Sequence, residues 1–230
     1  FTSTLQNPTI NNASVSNAGT YTVFVSNGNN CSASASATVV VNTNPVVTAS
    51  GSTVCENGTI TLTAAGGGTY SWTNGNGFSS TLQNPIINNA TVSNAGTYTV
   101  FVTNGNNCSA SATANVVVNT NPVITASGST VCENGTITLT ATGGGTYSWT
   151  NGNGFTSALQ NPTIANATTS NAGTYTVFVE NGNNCSASAS ATVVVNTNPV
   201  ITASGSTVCE NGTITLTATG GGTYSWTNGN

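Results

Sequence analysis

The stretch "SASATANVVVN" at 109–119 decides the fold. Ser109, Ser111, Thr113 and Asn115 alternate with Ala110, Ala112, Ala114, Val116 and Val118. Polar and apolar side chains therefore leave opposite faces of an extended chain, the mark of a half-buried antiparallel strand. "TITLTA" at 59–64 does the same, with Thr59, Thr61 and Thr63 set against Ile60, Leu62 and Ala64. No stretch carries a helical period. The abundance of Gly, Asn, Ser and Thr would suit a disordered chain, but the patterning predicts an all-β protein.

Composition removes most kinds of chemistry. The 230 residues include no Lys, Arg, His, Asp or Met, and four glutamates are the only charged side chains. General acid–base and nucleophilic catalysis need positioned ionisable partners, and no His or Lys is present to activate a Ser, Thr or Cys. No catalytic residues are expected, and the chain reads as a non-enzyme. Nucleic acid is excluded as a partner, because there is no cation to displace its counterions. Calcium takes six to eight oxygens, and the lone Glu56, Glu133 and Glu210 anchor it poorly. The six cysteines come without His and without a CxxC pair, so neither a zinc site nor any other metal or cofactor is expected. No apolar run reaches the roughly 18–20 residues of a membrane span. The first residue is not Met and no signal peptide is visible, which reads as a segment of something longer.

Phe1, Phe78 and Phe155 head three copies of a 77-residue unit, the third lacking its last Gly. The first two copies differ at eight positions, all mild exchanges such as Thr9/Ile86 and Ala65/Thr142. A unit of this length is long for a solenoid turn and suits a small independent β-sandwich. In "VVVNTNPVVTAS" at 39–50, a last strand, a polar joint and a new first strand follow one another. Pro45, Pro122 and Pro199 fit domain boundaries, since proline cannot donate to a ladder. Complete repeats are thus expected over 45–121 and 122–198. Residues 1–44 read as the C-terminal part of another repeat, and 199–230 as the N-terminal part of one. Strands are expected at about 46–50, 59–65, 69–73, 96–103 and 108–119, with short D and E strands within 78–87.

The stretch "NPIINNATVSNAGTYTV" at 84–100 resembles the E–F segment of immunoglobulin-like domains, where an Asp-Ala-Gly-x-Tyr-x-Cys run leads into strand F. Asn94, Ala95, Gly96 and Tyr98 fill that run, and Val100 stands where the family has its second core cysteine. "GTITLTA" at 58–64 is similar to strand B, with Ala64 in the first core cysteine's place. The resemblance implies a tandem array of Ig-like β-sandwiches, with Tyr21, Tyr98 and Tyr175 as tyrosine corners and Trp72, Trp149 and Trp226 in the cores. "WTNGNGFSSTLQNP" at 72–85 resembles polycystic-kidney-disease-type domains. The whole unit resembles the repeats of large Bacteroidetes-type surface adhesins or extracellular fibres.

In the Ig-like register, Cys55 ends strand A′ at one pole of its domain, whereas Cys108 follows the F–G turn at the other. A disulfide needs Cα atoms within about 7 Å, and the poles are roughly 30 Å apart by strand length. The preferred pairing is therefore inter-domain, Cys55–Cys185. Intra-domain pairs, Cys55–Cys108 with Cys132–Cys185, stand as the alternative should the strand order depart from the family, and links between chains as a third. Disulfides imply an oxidising, extracellular compartment.

The Asn-Gly pairs at 57–58, 74–75 and 76–77 read as turns in which both residues accept positive φ, and "GGG" at 66–68 as a B–C turn. Nine Asn-x-Ser/Thr sequons begin at Asn12, Asn30, Asn57, Asn89, Asn107, Asn134, Asn166, Asn184 and Asn211; intact mass would report glycosylation. Strict alternation puts Phe24, Phe101 and Phe178 on the outer sheet face. There each ring leans on a neighbouring strand or on Phe78 and its equivalents, or else makes a lateral contact once per repeat.

The leading functional expectation is a stalk or filament segment of a long secreted or cell-surface protein, stiffened by disulfides. Its partners are neighbouring repeats and other copies of the chain. Without Lys, intramolecular isopeptide staples cannot form, and trypsin-like proteases find no cleavage residue. The alternative is an adhesin repeat that binds glycan or a partner surface through Thr/Asn-rich sheet faces and the Phe row. Ice binding by Thr-rich faces is weaker, because Ig-like sheets twist.

Overall fold

The computed structural model describes residues 1–229, which divide into two compact units, one over Phe1–Thr120 and the other from Asn121 onward. Unit one begins with a hairpin of β1 (Gly19–Ser26) and β2 (Ser32–Val39). Then come β3 (Thr48–Ser50), β4 (Thr53–Cys55), β5 (Ile60–Thr61), β6 (Thr63–Ala65), β7 (Thr69–Thr73), β8 (Ser79–Ser80), β9 (Ile86–Ile87), β10 (Gly96–Thr103) and β11 (Ser109–Asn119). One layer is a five-stranded sheet in the order β4-β11-β10-β7-β8; the other joins β3 to β6 and β5 to β9. This is an Ig-like β-sandwich, and the expected all-β fold is what the chain adopts.

Unit two repeats it with β12 (Ala126–Ser127), β13 (Thr130–Cys132), β14 (Ile137–Thr138), β15 (Thr140–Ala141), β16 (Thr146–Thr150), β17 (Thr156–Ser157), β18 (Thr163–Ile164), β19 (Gly173–Glu180) and β20 (Ser186–Asn196). Its five-stranded sheet runs β13-β20-β19-β16-β17. A hairpin of β21 (Thr202–Gly205) and β22 (Leu216–Thr219) ends the unit. The helical residues among those described are three 3-10 turns, Val15–Asn17, Val92–Asn94 and Thr169–Asn171.

Alternation explains the core directly. On β10 the side chains of Tyr98, Val100 and Val102 are fully buried opposite Ala114, Ala112 and Ala110 of β11, and Val116 and Val118 extend the same buried face of β11. Ile60, Leu62, Ala64 and Trp72 close the cluster from the front half of the sandwich. Ala64 and Val100, in the places of the two family cysteines, both lie in this core. Trp149 holds the equivalent place in unit two.

Two expectations need correction. Ser79–Ser80 is not a D strand of the second layer, because it folds straight back onto β7, with Trp72 opposite Ser80. The side chain of Asn74 causes this: its Oδ1 accepts from the backbone N–H groups of Asn76 and Phe78 and closes a tight loop. Trp226 is not buried as Trp72 and Trp149 are; it is half-exposed, and the described residues around it, 223–229, form no strand.

The front strand breaks at Leu62, and the segment 83–85 repairs the break. Leu62 N–H donates to Pro85 O (3.0 Å), Ala64 N–H to Asn84 Oδ1 (3.1 Å), and Gln83 Nε2 to Ala64 O (2.8 Å). Trp72 Nε1 donates to Gln83 O (3.2 Å) and ties the core indole to the same patch. Gly51 lets the first strand cross from one layer to the other. A Cβ there would stand 2.3 Å from the carbonyl oxygen of Asn115 on β11. Gly51→Ala should therefore destabilise the first sandwich by about 1–3 kcal/mol through overpacking against backbone. A urea midpoint unchanged from the parent would contradict this.

Candidate functional site

No described group of three or more His, Cys, Asp or Glu could hold a metal ion, and no described helix is long and apolar enough to cross a membrane. The chemistry of this chain lies at its turns, joints and cysteines.

The E–F turn is built from neutral groups throughout. Asn94 stands where the family carries Asp; its Oδ1 accepts from Thr91 N–H (2.9 Å) and Thr91 Oγ1 (3.0 Å). Tyr98 Oη then donates to the carbonyl of Asn94 (2.9 Å), and Tyr21 and Tyr175 bond the same way to Asn17 and Asn171. The Tyr98 ring meets Phe78 edge-on at 5.2 Å, as Tyr175 meets Phe155 and Tyr21 meets Phe1. Tyr98→Phe removes one bond and leaves a carbonyl short of its donor, at a cost of about 1–3 kcal/mol. A thermal scan of that variant should show the first sandwich, and not the second, melting earlier. A second set of tyrosines does a similar job that alternation alone did not disclose. Tyr70, Tyr147 and Tyr224 donate to the carbonyls of Gly66, Gly143 and Gly220 in the "GGG" turns. The signal was present in the sequence, a Tyr four residues after the first Gly of each run.

The joint in unit one is held by the F–G turn. Asn104 Oδ1 accepts from the N–H groups of Asn106 (3.0 Å) and Cys108 (3.1 Å), while its Nδ2 donates to Thr43 O (2.9 Å) in the polar joint. In unit two Glu133 anchors the following joint: Asn198 N–H donates to Glu133 Oε2 (3.1 Å) and Asn198 Nδ2 to Glu133 O (3.1 Å). Glu133, a poor cation anchor, finds this structural use, which charge counting could not reveal.

The chain contains a disulfide, and Cys55 and Cys185 are half-cystines. Cys31, Cys108, Cys132 and Cys209 are free thiols. The intra-domain alternative, Cys55–Cys108 with Cys132–Cys185, is therefore incorrect. Its failure is geometric: Cys55 lies opposite Asn119 at the end of β11, and Cys108 precedes its first residue, Ser109. A fully extended strand of that length keeps the two roughly 30 Å apart.

Phe101 lies between Ser71 on β7 and Ser111 on β11, on the outer face of the five-stranded sheet. Phe101 and Phe178 remain 48% and 49% exposed, and Phe24, which has only β2 beside it, 77%. None leans on Phe78 or its equivalents, because those rings turn inward to the corner tyrosines.

The nine sequon asparagines, Asn12, Asn30, Asn57, Asn89, Asn107, Asn134, Asn166, Asn184 and Asn211, are also, among the described residues, the nine non-glycine residues with positive φ, between 53° and 66°. Asn tolerates the left-handed region better than other side-chain-bearing residues, and Ser or Thr two places on re-enters extended or turn structure. The sequons thus have a backbone reason to exist. The Asn-Gly pairs divide the work differently from expectation. Asn57 takes positive φ at 57–58, whereas Gly75 and Gly77 take it in the next two pairs.

No protein-family model matches the sequence, and no curated protein matches it. Among solved structures, similarity is found to murine CEACAM1b (18% identity over 65% of this chain and 100% of that one, TM-score 0.33). The three N-terminal domains of the bacteriophage RB49 Hoc capsid protein match at 18% over 77% and 68%, TM-score 0.34. The N-terminal four Ig domains of Dscam1 match at 20% over 63% of this chain, TM-score 0.29; the chain spans 43% of that structure. At such scores the overlap is partial, and the Ig-like assignment rests on the strand pairing.

Proposed function

We propose that the chain is a stalk or filament segment of a long extracellular repeat protein, of the kind formed by tandem Ig-like repeats of Bacteroidetes-type surface adhesins. It is stiffened by an inter-domain disulfide between Cys55 and Cys185. The observation that carries this reading is the pair of half-cystines itself: of six cysteines, one from each complete repeat is oxidised. The repeats in this reading are 45–121 and 122–198, flanked by the partial repeats 1–44 and 199–230. Support comes from the joints, where Asn104 and Glu133 bond the polar linkers within their own units. Near-identical repeats without catalytic residue types suit a part whose value is length.

The test is electron microscopy of the native assembly with and without a reductant. Straight rods that become flexible chains on reduction support the staple; equal flexibility in both conditions rules it out.

A second reading, adhesion through the outer sheet face, is favoured by the half-exposed Phe101 and Phe178. Those rings would meet a glycan, a partner surface or a neighbouring fibre. The Thr/Asn-rich faces serve this reading less well, because many hydroxyls bond to one another, as Ser50 to Thr63 (2.6 Å) and Ser127 to Thr140 (2.6 Å). Glycan-array binding lost in Phe101→Ser/Phe178→Ser would establish it; silence of the parent chain on the array and in an ice-shaping assay leaves the structural reading alone.

A further inference from the structure

An Asn followed by Gly is open to cyclisation, because glycine has no side chain to shield its amide nitrogen from the Asn carboxamide. Eight such pairs lie in the two sandwiches, at 57–58, 74–75, 76–77 and 104–105, and at 134–135, 151–152, 153–154 and 181–182. Ring closure needs the glycine nitrogen within about 3–3.5 Å of the Asn Cγ, with its N–H free to lose the proton. The fold treats the eight pairs unequally.

Six are held away from that geometry. Gly58 and Gly135 N–H donate to Cys55 O (2.9 Å) and Cys132 O (3.0 Å), so their nitrogens are engaged. Asn74 Oδ1 accepts from Asn76 N–H (2.8 Å) and Phe78 N–H (3.1 Å), and Gly75 N–H donates to Thr73 Oγ1 (3.2 Å). Asn151 and Gly152 are bonded in the same way. Asn104 Oδ1 accepts from Asn106 N–H (3.0 Å) and Cys108 N–H (3.1 Å), and Asn181 Oδ1 from Asn183 N–H (3.0 Å) and Cys185 N–H (3.0 Å). Turning either of those carboxamides toward its glycine breaks two hydrogen bonds.

Asn76–Gly77 and Asn153–Gly154 carry no such restraint. Both asparagines are exposed, in the loops that join β7 to β8 and β16 to β17. Among the described residues, their carboxamides and the N–H groups of Gly77 and Gly154 have no hydrogen-bond partner. A Cβ built on either glycine would meet nothing within 4 Å, so the space beside the nitrogen is open.

We propose that Asn76 and Asn153 are the sites at which the folded chain deamidates, one in each sandwich. The Gly77 amide gives its proton to hydroxide and its nitrogen bonds to Asn76 Cγ. The bond from Cγ to the carboxamide nitrogen breaks, and that nitrogen takes a proton from water and leaves as ammonia. Water then opens the cyclic imide at either carbonyl. One product is Asp; the other is isoaspartate, whose main chain runs through Cγ and is longer by one carbon. Each event consumes one water and releases one ammonia, with no oxidant and no enzyme.

Two events take the formal net charge from −4 to −6, since −4 − 2 = −6. The lengthened main chain of the isoaspartyl product falls inside the loop that Asn74 Oδ1 closes onto Phe78, and so loosens the β7–β8 hairpin at the sheet edge. The inference stands whether or not the repeats form a filament.

The test incubates the 230-residue chain in mildly alkaline buffer below its melting transition, beside the same chain unfolded in guanidinium chloride. After reduction, chymotrypsin releases 73–78 and 150–155, which share the sequence TNGNGF, and fragmentation in the mass spectrometer separates the first Asn from the second. In the folded chain the second Asn should convert at least about tenfold faster than the first, and than Asn57, Asn104, Asn134 and Asn181, because only it can reach the attacking geometry. In the unfolded chain all eight sites should fall within about threefold of one another. A smaller lead in the folded chain, a lead that persists after unfolding, or no conversion of Asn76 and Asn153 while the unfolded chain reacts overturns the proposal.

Discussion

Trp72→Ala should cost the first sandwich about 3–5 kcal/mol, the usual range for emptying a buried aromatic site. Trp72 is fully buried between Ile60, Leu62 and Val100, and its Nε1 holds Gln83 O, which belongs to the patch over the broken front strand. The substitution therefore opens a cavity and frees the segment that completes the second layer. A domain of this size buries only about 60% of its unfolded surface, so the loss is a large part of its stability. At about 4–8 °C per kcal/mol the first transition should fall by roughly 12 °C or more. Differential scanning calorimetry reads this with an internal control, because the Trp149 sandwich keeps its own core. A first transition lowered by less than a few degrees would show that Trp72 does not organise the core.

The second large effect is expected from the half-cystines. Cys55→Ser, or reduction, removes a cross-link that in the proposed pairing spans 130 residues of sequence (185 − 55). In the chain-entropy model such a link contributes about 5 kcal/mol, an upper figure because native-state strain and residual structure reduce it. Both melting transitions should drop together in the variant, since one bond serves two units, while the free-thiol variant Cys132→Ser should leave both in place. A drop confined to one sandwich would assign the bond a purely local role. The pairing itself is read by mass spectrometry of the unreduced chain after chymotrypsin, whose fragments 25–62 and 179–216 should remain joined and separate on reduction.

Much of the fold was legible because alternation is unambiguous where one face is buried. The run 109–119 and the run 96–103 each form one strand, and their inward residues are those the pattern names. The front strand was harder. Its pattern is continuous from Ile60 to Ala64, yet the backbone pairs with different neighbours on either side of Leu62, and the side chains of Gln83 and Asn84 supply what a strand would. No propensity encodes a side chain that stands in for a strand. The direction of the chain at 79–80 was lost for a similar reason, since one acceptor, Asn74 Oδ1, sets it. Of the candidate sites, the corner tyrosines were visible through the resemblance at 94–98, and the poles of Cys55 and Cys108 through strand length. The uses of Glu133 and Asn104 depend on groups more than sixty residues away, and spacing carries no trace of them.

The strand that changes layers at Gly51 also decides how such a domain bears load. Because β4 runs parallel to the end of β11, a pull that draws the chain before β4 and the chain after β11 apart slides the two strands lengthwise past each other. Their ladder bonds must then yield as a group, where a hairpin pulled from its open end would release them one at a time. The parallel pair is thus a cooperative barrier in the path of the force, set behind the short antiparallel pair of β3 with β6, which lies nearer the point of pulling.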